Sequence, residues 1–406
     1  MHAKFIAFWK QITPAGLFRA LLFAALVATF VMMASGSAVR TSDAASGCPD
    51  WPTCYGQWSL SQTGDAQVQV VHRALAALSA LLVLVAAAVA RRMGCAPRVR
   101  HALNTAAVLM LVQVIVGGVV VLAGAQPLFT RLHMLLAVLA LGAVSAAAVF
   151  ELSPAGGLRW STRFSRLSLA TLAAILILMI SGSLVVMAGA SAGCEGWPLC
   201  SGGLPVSGAG WLQFGHRLLT AVTGVLVVAQ FLRAWRGQRS QPAQLSAATA
   251  VLLLTAGQVL IGALKVNRGF PEDLVWLHAV SSAALWATQV VLVVSAGLAG
   301  RSQVDETAEE AQPLIMRQRA RDFLMLSKPL IVALLLVTTY AGMVVGGQEI
   351  PGLAVTFWTM LGGALAAGGS SALNQYIDRD IDGSMQRTAR RPLPAGRLQP
   401  AEGLAY

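Results

Sequence analysis

Apolar residues run in long blocks along this chain, broken by short polar segments. Ten blocks stand out, near 18–39, 68–90, 102–123, 132–150, 167–188, 214–232, 245–264, 274–298, 329–346 and 353–373. Each approaches the roughly 20 residues that a helix needs to cross a bilayer, where every backbone polar group must be paired within its own segment. The pattern predicts an all-α membrane protein with about ten spans. The first eight repeat as two sets of four. Ser35-Gly36-Ser37 returns as Ser181-Gly182-Ser183, 146 residues later, and the paired cysteines Cys48 and Cys54 (GCPDWPTC) return as Cys194 and Cys200 (GCEGWPLC) at the same offset. His72-Arg73 returns as His216-Arg217 (offset 144), and Gln113 and His133 as Gln258 and His278 (offset 145). A repeat held in register marks a duplicated unit. We therefore read tandem four-helix bundles over 1–155 and 156–300, a charged linker over 301–323, and a further module over 324–406 that starts with two more spans.

With 56% hydrophobic and 11% charged residues the chain is not an ordinary soluble domain. The net charge of +12 does not point to nucleic acid, because the basic residues crowd short loops: Arg91, Arg92, Arg98, Arg100, Arg159, Arg163, Arg233, Arg236 and Arg239 lie between spans 2–3, 4–5 and 6–7. By the positive-inside rule these loops and the N-terminus face the cytoplasm. The expected location is an inner (plasma) membrane of bacterial type, with the lipid bilayer as the chief partner. Both cysteine pairs then face outward, where disulfides persist, while Cys95 lies on the reducing side. A short-loop disulfide is the leading expectation for each pair; a redox-active dithiol or a metal site stays open. The first span lacks a small-residue cleavage pattern and belongs to the repeat, so it reads as a span rather than a cleaved signal.

His72 and His133 are 61 residues apart, His216 and His278 are 62 apart, and each opens a span of the same direction, so all four imidazoles lie at similar depth near the exterior face. Polar groups within a bilayer are costly, and four in duplicated register imply ligation. Zinc or copper wants more ligands than two histidines. Heme brings four nitrogens and needs only axial partners, so one bis-histidine heme per bundle core is expected. No CxxCH is present, which excludes covalent c-type attachment. Arg73, Arg217 and Arg131 are candidates for heme propionates or for interfacial anchoring. Gln113 and Gln258, each followed by a glycine at i+4 and set 20 residues ahead of a histidine, could hydrogen-bond a ligand or glue helices, with glue the leading expectation.

Taken together, SGS, the Trp-Pro cysteine loop, His-Arg, Gln-xxx-Gly and Leu-His, repeated over about residues 15–300, resemble the heme A synthase family. The resemblance implies oxidation of the C8 methyl of heme O to a formyl group by successive hydroxylations, with water as oxygen source and an unidentified electron acceptor. It implies substrate heme O at His72 and His133, and a heme b cofactor at His216 and His278. The family often carries a glutamate three residues before the first histidine; here that residue is Gln69, whose amide cannot act as a proton acceptor, and Asp65 stands one turn further out. The alternative is a diheme b-type electron carrier or heme-transfer protein without porphyrin chemistry. Candidate protein partners are a second copy or cytochrome oxidase assembly factors.

In the last module Asn374, Asp378 and Asp382 are spaced i, i+4, i+8 and share a helix face. Oxygen ligands so placed suit Mg²⁺ completed by substrate phosphates, and Arg387, Arg390 and Arg391 can receive a diphosphate or propionates. SKP at 327–329 and NQYIDRDIDGSMQRTARRPLPAGR at 374–397 resemble the start of protoheme IX farnesyltransferase, the heme O synthase of the UbiA-type prenyltransferases. That implies transfer of a farnesyl group from farnesyl diphosphate to a vinyl of heme B with Mg²⁺, giving the substrate of the first module. The family has further spans and a second aspartate-rich motif, so this module is expected to be incomplete, as in a fragment of a longer fusion.

Overall fold

The computed structural model of the protein describes residues 13–42, 44–57, 64–153, 156–201, 203–299 and 316–406. Its helices are α1 Pro14–Thr41, α2 Gly64–Arg92, α3 Pro97–Leu122, α4 Pro127–Leu152, α5 Arg163–Met187, α6 Gly208–Gly237, α7 Pro242–Asn267, α8 Glu272–Ala299, α9 Met316–Leu326, α10 Pro329–Gly347, α11 Leu353–Ser384 and α12 Pro400–Ala405. Ten of them, all but α9 and α12, are long and apolar enough to cross a membrane. The first eight begin a few residues ahead of their apolar blocks, and polar caps open two of them. Thr13 accepts from the Gly16 amide at 3.1 Å and Thr162 from the Ser165 amide at 3.0 Å, each satisfying an otherwise orphan N-terminal donor. Pro14, Pro97, Pro127 and Pro329 stand in first turns, where their missing N–H costs nothing.

The chain divides into two compact units, one of residues 1–230 and 250–301, the other of 231–249 and 302–406. In the first unit α1 packs on α2 and α4, α3 on α2 and α4, and α5 on α8. Phe18, Leu22, Val83, Ala86, Leu103, Met110 and Val144 fill the N-terminal core, with alanines such as Ala90, Ala106 and Ala140 letting helices approach closely. The two halves meet where α8 crosses α4 and α1. There the Trp286 indole donates to the Val138 carbonyl at 2.8 Å and lies on Gly142, where a Cβ would come within 3.1 Å of Nε1. Trp276 donates to the Ala34 carbonyl at 3.0 Å. Fully buried Gln230 and Gln289 exchange amide bonds at 3.1 and 3.0 Å, and Gln289 also donates to the Ser168 carbonyl at 2.9 Å. Such paired amides leave no unsatisfied dipole in an apolar interior.

In the second unit, Ser371 and Gln375 of α11 donate to the Leu326 carbonyl at 2.8 and 2.7 Å, closing the C-terminus of α9. Arg397 holds both carboxylate oxygens of Asp322, at 3.0 and 3.1 Å, and Arg239 and Arg319 meet the buried Glu402 carboxylate. Of the stretch read as a linker, residues 301–315 lie outside the described residues. The rest belongs to α9, which runs on to a fully buried Leu326 and stacks Phe323 between Trp235 and Tyr406, at 5.9 and 5.6 Å. Dense charge in the sequence hides this short buried stripe.

Candidate functional site

His72 sits eight residues beyond Gly64 at the start of α2, and His133 six beyond Pro127 at the start of α4. Their ring centres are 6.5 Å apart with planes at 81°. Two imidazoles bound to one metal from opposite sides, each through a bond of about 2 Å, hold their centres roughly 6 to 7 Å apart. The spacing therefore fits a shared axial position. His216 and His278 take the same register, eight beyond Gly208 and six beyond Glu272.

Every one of these rings lies against a helix glycine. A Cβ would come within 2.9 Å of the His72 Cε1 at Gly36, 2.9 Å of the His133 Cε1 at Gly117 and 3.1 Å of the His216 Cε1 at Gly182, while at Gly262 it would stand 3.6 Å from His278. The first three distances admit no side chain without displacement. These glycines are the centres of the SGS repeats and the ends of the Gln-xxx-Gly repeats, and sequence reasoning gave them no role. Their fixed register with each histidine was the signal available.

Two serines orient the first histidine of each pair. Ser35 donates its single proton to the Met32 carbonyl at 2.7 Å, so at 2.9 Å its oxygen must accept from the His72 Nδ1–H. Ser181 does the same, donating to Leu178 at 2.8 Å and accepting from His216 Nδ1 at 2.8 Å. That assigns the tautomer with the lone pair on Nε2, as a metal ligand requires. The second histidines differ: Nδ1 of His133 and of His278 is buried without a hydrogen-bond partner among the described residues.

Cys48 is bonded to Cys54 and Cys194 to Cys200, with Cα separations of 4.9 and 5.0 Å; Cys95 is free, and burial pushes its thiol up. In the first loop the Asp50 carboxylate accepts from the Thr53 hydroxyl and from the amides of Tyr55 and Gly56 at 2.6 and 2.9 Å. The Thr53 hydroxyl, with those amides, holds its carboxyl below the usual carboxylate range. Trp51 rests on Gly118, where a Cβ would come within 3.0 Å of its ring, one residue from the glycine behind His133. Arg73 clasps the same loop through one nitrogen, donating to the carbonyls of Asp50 at 2.9 Å, Pro52 at 3.4 Å and Thr53. Arg217 donates to Cys194 at 2.8 Å and Pro198 at 3.3 Å. Each arginine thus fixes a disulfide loop over its bundle, and the buried Nε and Nη2 donors of Arg73 have no partner among the described residues. Arg131 instead points Nε at the Met187 sulfur, 3.2 Å away.

Gln69 is buried and donates to the Ala45 carbonyl at 2.8 Å; Asp65 is exposed. Gln213, three residues before His216, is its unremarked repeat and is equally buried. An amide at position 69 is thus a structural donor. Gln69→Glu would set an acceptor-only carboxylate against a carbonyl, and we expect a loss of about 1–3 kcal/mol. Thermal unfolding of the full chain in detergent reads this; an unchanged midpoint would remove the donor role.

On α11, Asn374 is exposed, Asp378 half-buried and Asp382 buried, although all three share the face expected from their spacing. Asp382 is taken by Arg391 at 2.6 Å, whereas Arg387 and Arg390 are exposed. Asn374 lines an open groove of about 390 Å³ with Lys328, Ser370 and Ser371. Asn374 and Asp378 remain to offer oxygen, which fits the habit of Mg²⁺ of taking one or two carboxylates beside substrate phosphates.

Fold and sites together define an all-α, multi-span membrane protein with paired histidines in a duplicated bundle. Residues 19–69 and 65–290 match the family model described as cytochrome oxidase assembly protein, and the chain belongs to that family. Residues 335–406 match the UbiA prenyltransferase family. Among similar proteins, the protoheme IX farnesyltransferase of Roseiflexus castenholzii is 31% identical over 274 residues, covering 62% of this chain and 50% of its own. The protein of that name from Chloroflexus aurantiacus is 29% identical over 386 residues, 93% of this chain and 64% of its own. That from Symbiobacterium thermophilum is 51% identical over 89 residues, 22% of this chain and 30% of its own. The chain spans about half the length of the first of these relatives.

Proposed function

We propose that the chain acts in heme A biosynthesis, as a heme A synthase joined to the front of a protoheme IX farnesyltransferase. The observation that carries this reading is the His72–His133 pair, 6.5 Å apart and seated on Gly36 and Gly117. Heme O is the substrate there, its C8 methyl oxidised to a formyl group with water as oxygen source; electrons and protons leave in equal number. His216 and His278 would hold heme b, which would supply a one-electron redox centre between the substrate bundle and an electron acceptor. Ser35 and Ser181 set the ligand tautomers, and the two Arg-clasped disulfide loops cover the bundles and exclude water. The spare donors of Arg73 suit a propionate. Gln69 has no proton to accept, so protons leave by another group or by water.

For the C-terminal module, Lys328, Asn374 and Asp378, with the exposed Arg387 and Arg390, would receive farnesyl diphosphate and Mg²⁺ beside heme B, with Arg391 held by Asp382. The protein would sit in an inner membrane with the histidines and cysteine loops toward the exterior, and would serve cytochrome oxidase assembly. The deciding experiment extracts pigments from a host that makes heme O but lacks its own heme A synthase, with and without residues 1–300. Heme A is expected by chromatography; heme O alone would overturn the oxidase reading.

A further inference from the structure

The two second histidines differ in one neighbour. Gln113 aims its amide N–H at His133 Nε2, 3.3 Å away, the atom by which that imidazole would bind iron. Its repeat Gln258 turns elsewhere, donating to the His278 carbonyl at 2.9 Å and to the Ser281 hydroxyl at 2.7 Å. The cause is a single position. Ser281 stands three residues after His278, and its repeat, three after His133, is Leu136, which offers no acceptor. Gln113 is left facing the ring, its Oε1 buried without a partner among the described residues.

We infer that Gln113 is a positioning residue that makes His133 a releasable ligand, so that the N-terminal bundle exchanges its heme while the C-terminal bundle retains its own. This rests on the heme reading above. On release the iron–Nε2 bond breaks, the electron pair stays on nitrogen, the iron keeps its oxidation state, and the lone pair accepts the Gln113 N–H. A hydrogen bond to the free ligand lowers the energy of the released state, as required for exchange of substrate against product. Gln258, committed to the His278 carbonyl and to Ser281, gives the His278 lone pair no such donor, so release there gains no hydrogen bond.

The test uses the full chain in nanodiscs loaded with heme B as the probe, with transfer to excess apomyoglobin followed by absorbance and the rate of CO binding to the reduced protein. Two release phases are expected, the slow one absent in His278→Ala. Leu136→Ser should draw Gln113 off the ring and slow the fast phase about five- to tenfold, the worth of one hydrogen bond. Ser281→Leu should free Gln258 and speed the slow phase by a similar factor, a gain that mere loosening of a helix in the N-terminal bundle would not give. CO binding, which needs a histidine to leave, should change in step. Gln113→Leu should slow the fast phase alone; if it fails to fold, the two swaps still decide. A single release phase, or unchanged rates in both swaps with bis-histidine absorbance intact, overturns this inference and leaves the heme reading standing. A chain that takes up no heme overturns both.

Discussion

Replacing His278 with alanine abolishes the low-spin b-type absorbance of the C-terminal bundle. The position lies six residues into α8, the register that His133 holds in α4. Loss of one axial imidazole would leave one iron position open, and the neighbouring Gln258, Ser281 and Ser282 are committed to backbone or to one another. Loss of a partner that only orients a ligand weakens metal sites roughly 10- to 100-fold, and loss of the ligand itself should exceed that. A reduced-minus-oxidised difference spectrum checks it. An unchanged spectrum would remove His278 from the ligand set and with it the two-heme account.

The second large effect is expected at a glycine. In Gly117→Ala the new methyl meets the His133 Cε1 at 2.9 Å, and in Gly262→Ala it stands 3.6 Å from His278, an ordinary contact. Overpacking of this kind costs about 1–3 kcal/mol, or roughly 5- to 150-fold in heme affinity. Gly117→Ala should therefore weaken heme titration at the N-terminal site by that factor, and Gly262→Ala should leave the C-terminal site within about twofold. Equal effects at the two glycines would show that the cradle does not position the ring.

The spans and the duplication were readable because both depend on quantities the chain displays directly: bilayer thickness sets the length of an apolar block, and a copied unit keeps its offsets. The histidines were found the same way. What the residues touch was not readable. Arg73 beside His72 looked equally suited to a propionate or an interface, and the choice fell to three loop carbonyls whose directions depend on how residues 50–53 fold. Asp382 keeps the helical face of Asn374 and Asp378, yet its partner Arg391 lies beyond the end of α11, where periodicity no longer predicts position. Gln113 and Gln258 looked alike, each open to a ligand or to helix glue, and their difference came from a residue on another helix, Leu136 in one bundle and Ser281 in the other. Gly36, Gly117 and Gly182 were visible only as invariant letters of a repeat until the ring each one seats was placed beside it.

The meeting of the two halves is not symmetric. Trp286 fills the space over Gly142, but the residues standing at those places in the opposite halves are Leu141 and Ala287, so plug and socket exist once each. Two copies of either half could not reproduce that fit. Whatever pair of twins the gene began with, the descendants have specialised into complementary shapes, each half now fitting the other and not itself.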